Sequence, residues 1–127
     1  MNVAVVGLGH LGTAITTYFK GKRDKLDIVA AFDIHPDKIG KVVADVRCYP
    51  LADLAEIVKQ QNITIGMITV PPEHAAEVAD KLVDAGIKGI LNFTTVPLNV
   101  SSNVYLEEYD MITALEKVAY FAKKQKG

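Results

Sequence analysis

The residues with the clearest chemical potential stand near the start of the chain, in Gly7-Leu8-Gly9-His10-Leu11-Gly12. Three glycines at this spacing also occur in ordinary turns, so the context decides. Here the loop follows the apolar run Val3-Ala4-Val5-Val6 directly and opens a helical stretch from Leu11 to about Lys20. In a strand-turn-helix unit, Gly7 permits the tight turn, Gly9 lets a pyrophosphate approach the backbone, and Gly12 allows the helix to pack closely on the sheet. The helix start offers free N–H groups and the positive end of its dipole to the phosphates. The candidate loop is therefore the whole of Gly7, Leu8, Gly9, His10, Leu11 and Gly12.

Asp33 ends the next apolar run, Leu26 to Phe32. A carboxylate at that position accepts hydrogen bonds from an adenosine ribose, and its charge repels a 2′-phosphate. Ile34 is assigned to the same end of the ligand. No arginine occurs in Ile34-His35-Pro36-Asp37-Lys38 to receive such a phosphate, so NAD(H) is expected in preference to NADP(H). Ligands of open α/β sheets lie across the carboxyl ends of strands, which adds Thr69-Val70-Pro71 and Asn92-Phe93-Thr94 as candidates; both also read as plain turn chemistry.

Of the three histidines, His10 is expected to lend only its backbone, His35 to sit on a surface turn, and His74 to fall in the first turn of a helix. None has a second ligand at metal spacing. No residue is assigned a catalytic role.

These residues need a scaffold. The continuous apolar run Val3 to Val6 predicts a strand buried on both faces, and further strands are read at Leu26 to Phe32, Val46 to Cys48, Ile63 to Val70, Ile87 to Phe93 and Val104 to Glu107, with residues 38–43 ambiguous. Helical spacing places Leu51, Leu54, Ala55 and Val58 on one helix and Ala75, Ala76, Ala79, Leu82 and Val83 on the inner face of another. That helix carries Glu77 and Lys81 as an outer i,i+4 pair and is capped by Gly86. The alternation predicts an α/β fold of Rossmann type, a mostly parallel sheet with helices on both faces.

With 127 residues, half of them hydrophobic, the chain is read as one domain, 1–127. Fourteen basic and fifteen acidic side chains give a formal charge of -1, without the basic excess of a surface that tracks nucleic acid. Lys20, Lys22, Arg23 and Lys25 read as a solvated loop. The single cysteine, Cys48, forms no internal disulfide and points to a reducing compartment, the cytoplasm; no run marks export or membrane insertion.

The loop with Thr13-Ala14, then Ala31-Phe32-Asp33 with Pro36-Asp37-Lys38-Ile39-Gly40, Thr69-Val70-Pro71, the run Ala85 to Phe93, and Glu108-Tyr109-Asp110 together resemble the Rex redox-sensing transcriptional repressors. The resemblance covers almost the entire chain, and Gly86 to Phe93 is its most specific part. It implies a C-terminal Rossmann domain that senses the NADH/NAD⁺ ratio without catalysis, in a homodimer whose N-terminal winged helix binds operator DNA. These residues contain no winged helix, so an isolated sensor domain or a stand-alone relative is expected, with no DNA binding by this chain alone. Thr94-Thr95 stands where Ala-Pro is usual, Ser101 where proline is common, and His35 where an acidic residue is usual.

Two other readings remain open: the cofactor half of a small NAD-dependent oxidoreductase, such as a dihydrodipicolinate reductase relative, and a CoA-binding domain like that of acyl-CoA synthetases. A last helix is predicted from Met111 to about Lys123. Its Met111, Ile112, Ala114, Leu115, Val118, Ala119, Phe121 and Ala122 cover about half its circumference, wider than the stripe of roughly 100° needed to pack on one sheet. The resemblance implies that residues 110–124 reach across to a partner subunit, with Asp110 starting the helix.

Overall fold

The protein is described by a computed structural model covering residues 1–20 and 25–125. The elements run β1 (Asn2–Val6), α1 (His10–Phe19), β2 (Asp27–Asp33), β3 (Val42–Val43), β4 (Val46–Pro50), α2 (Leu54–Gln60), β5 (Ile63–Ile68), α3 (Ala75–Asp84), β6 (Gly89–Asn92), β7 (Tyr105–Glu108) and α4 (Met111–Gln125). Short 3-10 turns at Leu51–Asp53 and Pro72–His74 lead into α2 and α3.

The strands form one sheet in the order β3-β4-β2-β1-β5-β6-β7, parallel throughout except for the β3–β4 hairpin. With that two-residue edge set aside, the order is that of a doubly wound dinucleotide fold, and it reverses between β1 and β5. The expected Rossmann-type α/β architecture is therefore the observed one.

Alternation along β1 divides the core. Ala4 and Val6 face Phe32, Ile68, Leu54, Ile57, Val78 and Leu82, a layer built with α2 and α3. Val3 and Val5 face Ile15 of α1 and Met67 on the other side. Leucine, isoleucine and valine at these positions each contribute roughly 1.5–3 kcal/mol when fully buried. α3 ends in a Schellman motif: Gly86, at φ +95, donates its N–H to Val83 O, and Ile87 N–H reaches Leu82 O.

Several expectations change in detail. The ambiguous residues 38–43 end in β3, joined to β4 by Ala44 and Asp45 at φ 49 and 67, a pair without the Asn-Gly signal of such turns. Leu51 lies on a 3-10 turn rather than on α2, whose inner positions are Leu54, Ile57 and Val58 while Ala55 faces out. On α3, Ala76 is exposed and Val78 takes the inner place, because the face turns by 100° per residue and Ala75, Val78, Ala79 and Leu82 complete it. Glu77 and Lys81 do not close an ion pair; the Lys20–Asp45 contact is the one found among the described residues. Lys22 and Arg23 of the basic loop lie outside the described residues. Among the described residues no helix is long and apolar enough to cross a membrane.

α4 differs from every other element. Every one of its fifteen residues is exposed, and Met111, Ile112, Leu115, Val118 and Phe121 are each more than half exposed. The sheet face on the α1 side is also incompletely covered: Ile65, Leu91 and Phe93 remain half-buried, and Tyr105 next to them is exposed.

Candidate functional site

The loop between β1 and α1 is set by three close approaches. Gly7 adopts φ +104, and a Cβ there would stand 2.8 Å from Thr69 O. A Cβ on Gly12 would stand 1.9 Å from Gly7 O, so the first turn of α1 folds onto the loop only with glycine at this position. Gly9 is the opposite case, exposed and with no heavy atom within 4 Å of a Cβ position. The three glycines thus do different work: two permit packing, and one leaves the approach to the backbone open. Gly9 also forms the N-cap of α1 with no side-chain cap, leaving the first N–H groups of the helix to a ligand or to solvent.

Asp33 braces this loop. Its Oδ2 accepts the Leu8 N–H at 2.8 Å, and its Oδ1 accepts the N–H groups of Ile34 and His35 at 2.7 and 3.1 Å. Only 9% of Asp33 is exposed, so these bonds compensate a charge taken from water. Two carboxylate oxygens offer about four acceptor positions, and three are occupied; the position left, on Oδ2, is available to a ribose hydroxyl. From β5, the Thr69 hydroxyl lies 2.7 Å from Gly7 O and 3.0 Å from Val6 O, tying the end of a third strand to the loop.

A cavity of about 650 Å³ opens over these strand ends, within the size range of small-molecule and cofactor sites. It lies where the strand order reverses. It is lined by Gly7 and Gly9 of the glycine loop with Val6 before them, by Asp33, Ile34, His35 and Lys38 after β2, by Thr69, Val70 and Pro71 after β5, and by Leu51, His74, Glu77 and Val78. The structure therefore gathers Gly7, Gly9, Asp33, Ile34, Thr69, Val70 and Pro71 of the predicted site. Leu8 presents its backbone to Asp33 while its side chain packs on Ala31, Val46 and Cys48. His10 and Leu11 are exposed at the start of α1, and Gly12 is buried beneath the loop.

Asn92, Phe93 and Thr94 are outside this cavity, at the end of β6. The buried Asn92 uses its whole amide locally: Nδ2 donates to Val96 O and Glu108 Oε2, and Oδ1 accepts from the Thr94 N–H and hydroxyl. Its visible task is to hold the loop after β6. Phe93 packs on Tyr109 with ring centroids 5.4 Å apart, so the end of β6 touches the residue that precedes Asp110 and α4. Asp110 caps that helix, accepting from the Ile112 and Thr113 N–H groups and the Thr113 hydroxyl; the Thr113 bonds hold its carboxyl below the usual carboxylate range.

Sequence reasoning missed His35, read as a surface turn residue, and Lys38, Leu51, His74, Glu77 and Val78 as lining residues, because their distance in the chain from the glycine loop carries no periodic signal. Cys48 lies under the loop beside Leu8. Burial first, and the Asp33 charge second, raise its thiol to about 11, against a smaller lowering by Lys38. Among the described residues no cluster of three or more His, Cys, Asp or Glu forms a metal site.

Three comparisons bear on this geometry. Residues 1–96 match the CoA binding domain family. The redox-sensing transcriptional repressor Rex of Natranaerobius thermophilus is 40% identical over 124 residues, 98% of this chain and 57% of its own length. That of Exiguobacterium sibiricum is 42% identical over 122 residues, 96% of this chain and 56% of its own. The chain therefore spans a little over half the length of these relatives. Among solved structures, the Rex-family repressor RSP superposes with a TM-score of 0.90 at 31% identity, covering 98% of this chain and 60% of that one. RSP has also been solved with β-NADH and with β-NAD⁺ and operator DNA.

Proposed function

The chain belongs to the CoA-binding domain family, and from that premise we propose that it is the NAD(H)-binding sensor domain of a Rex-type redox regulator, a domain that binds its cofactor without turning it over. The observation that carries this reading is the position of Asp33. Asp33 lines the cavity together with Gly9 and keeps one acceptor position on Oδ2, which we assign to an adenosine ribose. The bound states of RSP, a relative alike over nearly the whole chain, support NADH and NAD⁺ as the ligands. Gly7, Leu8, Gly9, His10, Leu11 and Gly12 would hold the pyrophosphate through backbone N–H groups, Asp33 and Ile34 the adenosine, and Thr69, Val70 and Pro71 the middle of the cofactor. Asn92, Phe93 and Thr94 would shape the nicotinamide end from the next strand.

The domain is assigned to residues 1–127, with 110–124 as a dimerisation arm. α4 has no core of its own, and fifteen isolated helical residues are marginal in water. Ile65, Leu91 and Phe93 form an undercovered sheet face on which a partner's α4 would bury its apolar side. Cofactor occupancy then acts by population shift: NADH moves the dimer toward the arrangement it binds better. The Phe93–Tyr109 contact gives that shift a route from the end of β6 to the arm. DNA binding is assigned to another part of the full protein or to a partner, and the compartment to the cytoplasm.

Titration of the chain with NADH, followed by the change in cofactor fluorescence, tests the binding reading. Saturable binding of one NADH per chain supports it. Turnover of NADH with added carbonyl acids would replace it with the oxidoreductase reading.

A further inference from the structure

Glu108, at the end of β7, is an exposed residue whose carboxylate reaches a buried one. Its Oε2 accepts two N–H groups, from Asn92 Nδ2 and from the Leu98 backbone, each at 3.2 Å. The donors belong to different pieces of the chain. Asn92 ends β6 and is the register partner of Glu108, while Leu98 lies in the loop that follows β6. One carboxylate oxygen thus pins that loop to the strand that leads into α4. The next two residues continue the connection: Tyr109 donates its N–H to Asn92 O and packs its ring on Phe93, and Asp110 caps α4.

Fixing a long exposed side chain costs rotamer freedom, and an exposed carboxylate is already well served by water. The state of its donor explains why Glu108 is held. Asn92 has no exposed surface; its amide nitrogen donates to Val96 O at 2.8 Å and to Glu108. Withdrawing the carboxylate leaves a buried N–H without its acceptor, and that loss exceeds what an ordinary hydrogen bond contributes. The other Asn92 bonds, accepted by Oδ1 from the Thr94 N–H and hydroxyl, bind the loop only to β6. Because Asn92 and Leu98 share one oxygen, the carboxylate cannot follow a displaced loop without leaving the buried amide.

We infer that Glu108 is a positioning residue that makes the loop after β6 and the stem of α4 one unit, so that what a ligand does to the loop is passed to the arm. The inference rests on the reading of Asn92, Phe93 and Thr94 as the nicotinamide end and of α4 as a dimerisation arm. It adds to the Phe93–Tyr109 contact a tie of a different kind. A ring contact tolerates small shifts, whereas hydrogen bonds weaken steeply with distance and angle. The tie requires the reach of the side chain rather than its charge. Glutamine keeps an acceptor oxygen at the same distance, and aspartate keeps the charge but is one methylene short.

Proximity does not establish coupling, so the test reads the coupling itself. The dimer dissociation constant of the intact chain is measured by sedimentation with saturating NADH and with saturating NAD⁺, and the ratio of the two values is the coupling factor. It should differ from one by about fivefold or more in the intact chain, and by less than about twofold in Glu108→Ala and Glu108→Asp. Glu108→Gln should retain the factor, as should Glu107→Ala, whose carboxylate lies on the other face of β7 bonded to the Tyr105 hydroxyl. Melting temperatures are recorded for every variant, because a purely structural role would lower that of Glu108→Ala and leave the factor where it was. An unchanged factor in Glu108→Ala, or its loss in Glu108→Gln or Glu107→Ala, overturns the inference and leaves the sensor reading intact. A chain that binds no NADH, stays monomeric, or shows a factor of one without substitution fails the sensor reading, and the inference falls with it.

Discussion

The carboxylate of Asp33 accepts the backbone N–H of Leu8 at 2.8 Å, joining the end of β2 to the middle of the glycine loop. One side chain thereby shapes the loop and presents an acceptor to the ribose. Asp33→Ala should therefore do two things at once. It should weaken NADH binding by about ten- to a hundredfold and narrow the preference over NADPH, and it should lower the stability of the cofactor-free chain by about 2 kcal/mol as hydrogen bonds to a charged group are lost. Calorimetry and denaturant unfolding measure the two effects separately. Equal affinity of the unaltered protein for NADH and NADPH would remove the ribose role.

Gly9 and Gly12 should separate binding from folding. With nothing within 4 Å of its Cβ position, Gly9→Ala should melt as the parent does and lose NADH affinity by obstructing the pyrophosphate. Gly12→Ala must push a Cβ away from Gly7 O at 1.9 Å, and it should cost about 3 kcal/mol of stability. Thermal unfolding of both variants with and without NADH is the check.

Cys48 should be inert in the folded protein. With its thiol raised to about 11, little thiolate exists at pH 8, and the side chain is fully enclosed. Because the folded value lies above the usual thiol value of 9.0, this group favours the fold below pH 9 and withdraws that contribution as pH rises from 9 toward 11. Labelling with a thiol reagent at pH 8 should be slow, should slow further with NADH, and should become fast in denaturant. Rapid labelling of the native chain would mean that the loop opens freely.

The exposed apolar side of α4 should be an interface. Deleting residues from 110 onward should give a monomer or an aggregating species, and Leu115→Glu a milder form of the same defect through an unpaired buried charge. Sedimentation over a range of concentrations decides this. A monomeric intact chain, or a truncated chain that dimerises as well, contradicts the arm.

Where sequence and structure agree, a repeating physical signal was present. The run Val3 to Val6 is apolar on both faces because the sheet is covered on both at its central strand, and the glycine loop has one workable place after such a strand. The hairpin at Ala44 and Asp45 was hidden because neither residue advertises a positive φ, and Lys20, whose ammonium meets Asp45, comes from a distant helix. Asn92 reads alike as a ligand contact and as a turn residue; four local partners become visible only when the loop closes. Lys38 was hidden for a related reason. Its neighbours in the chain are exposed, and only the turn over β2 brings it to the cavity wall.

A redox sensor of this kind must distinguish the two redox states of one cofactor in this cavity. Competition of NADH against NAD⁺ and against CoA on the intact chain, followed by NADH fluorescence, tests it most directly. NADH should bind saturably, NAD⁺ should displace it with a clearly different affinity, and CoA should displace it only at much higher concentration. Equal affinities for NADH and NAD⁺, or CoA binding with no binding of either dinucleotide, would contradict the sensor reading.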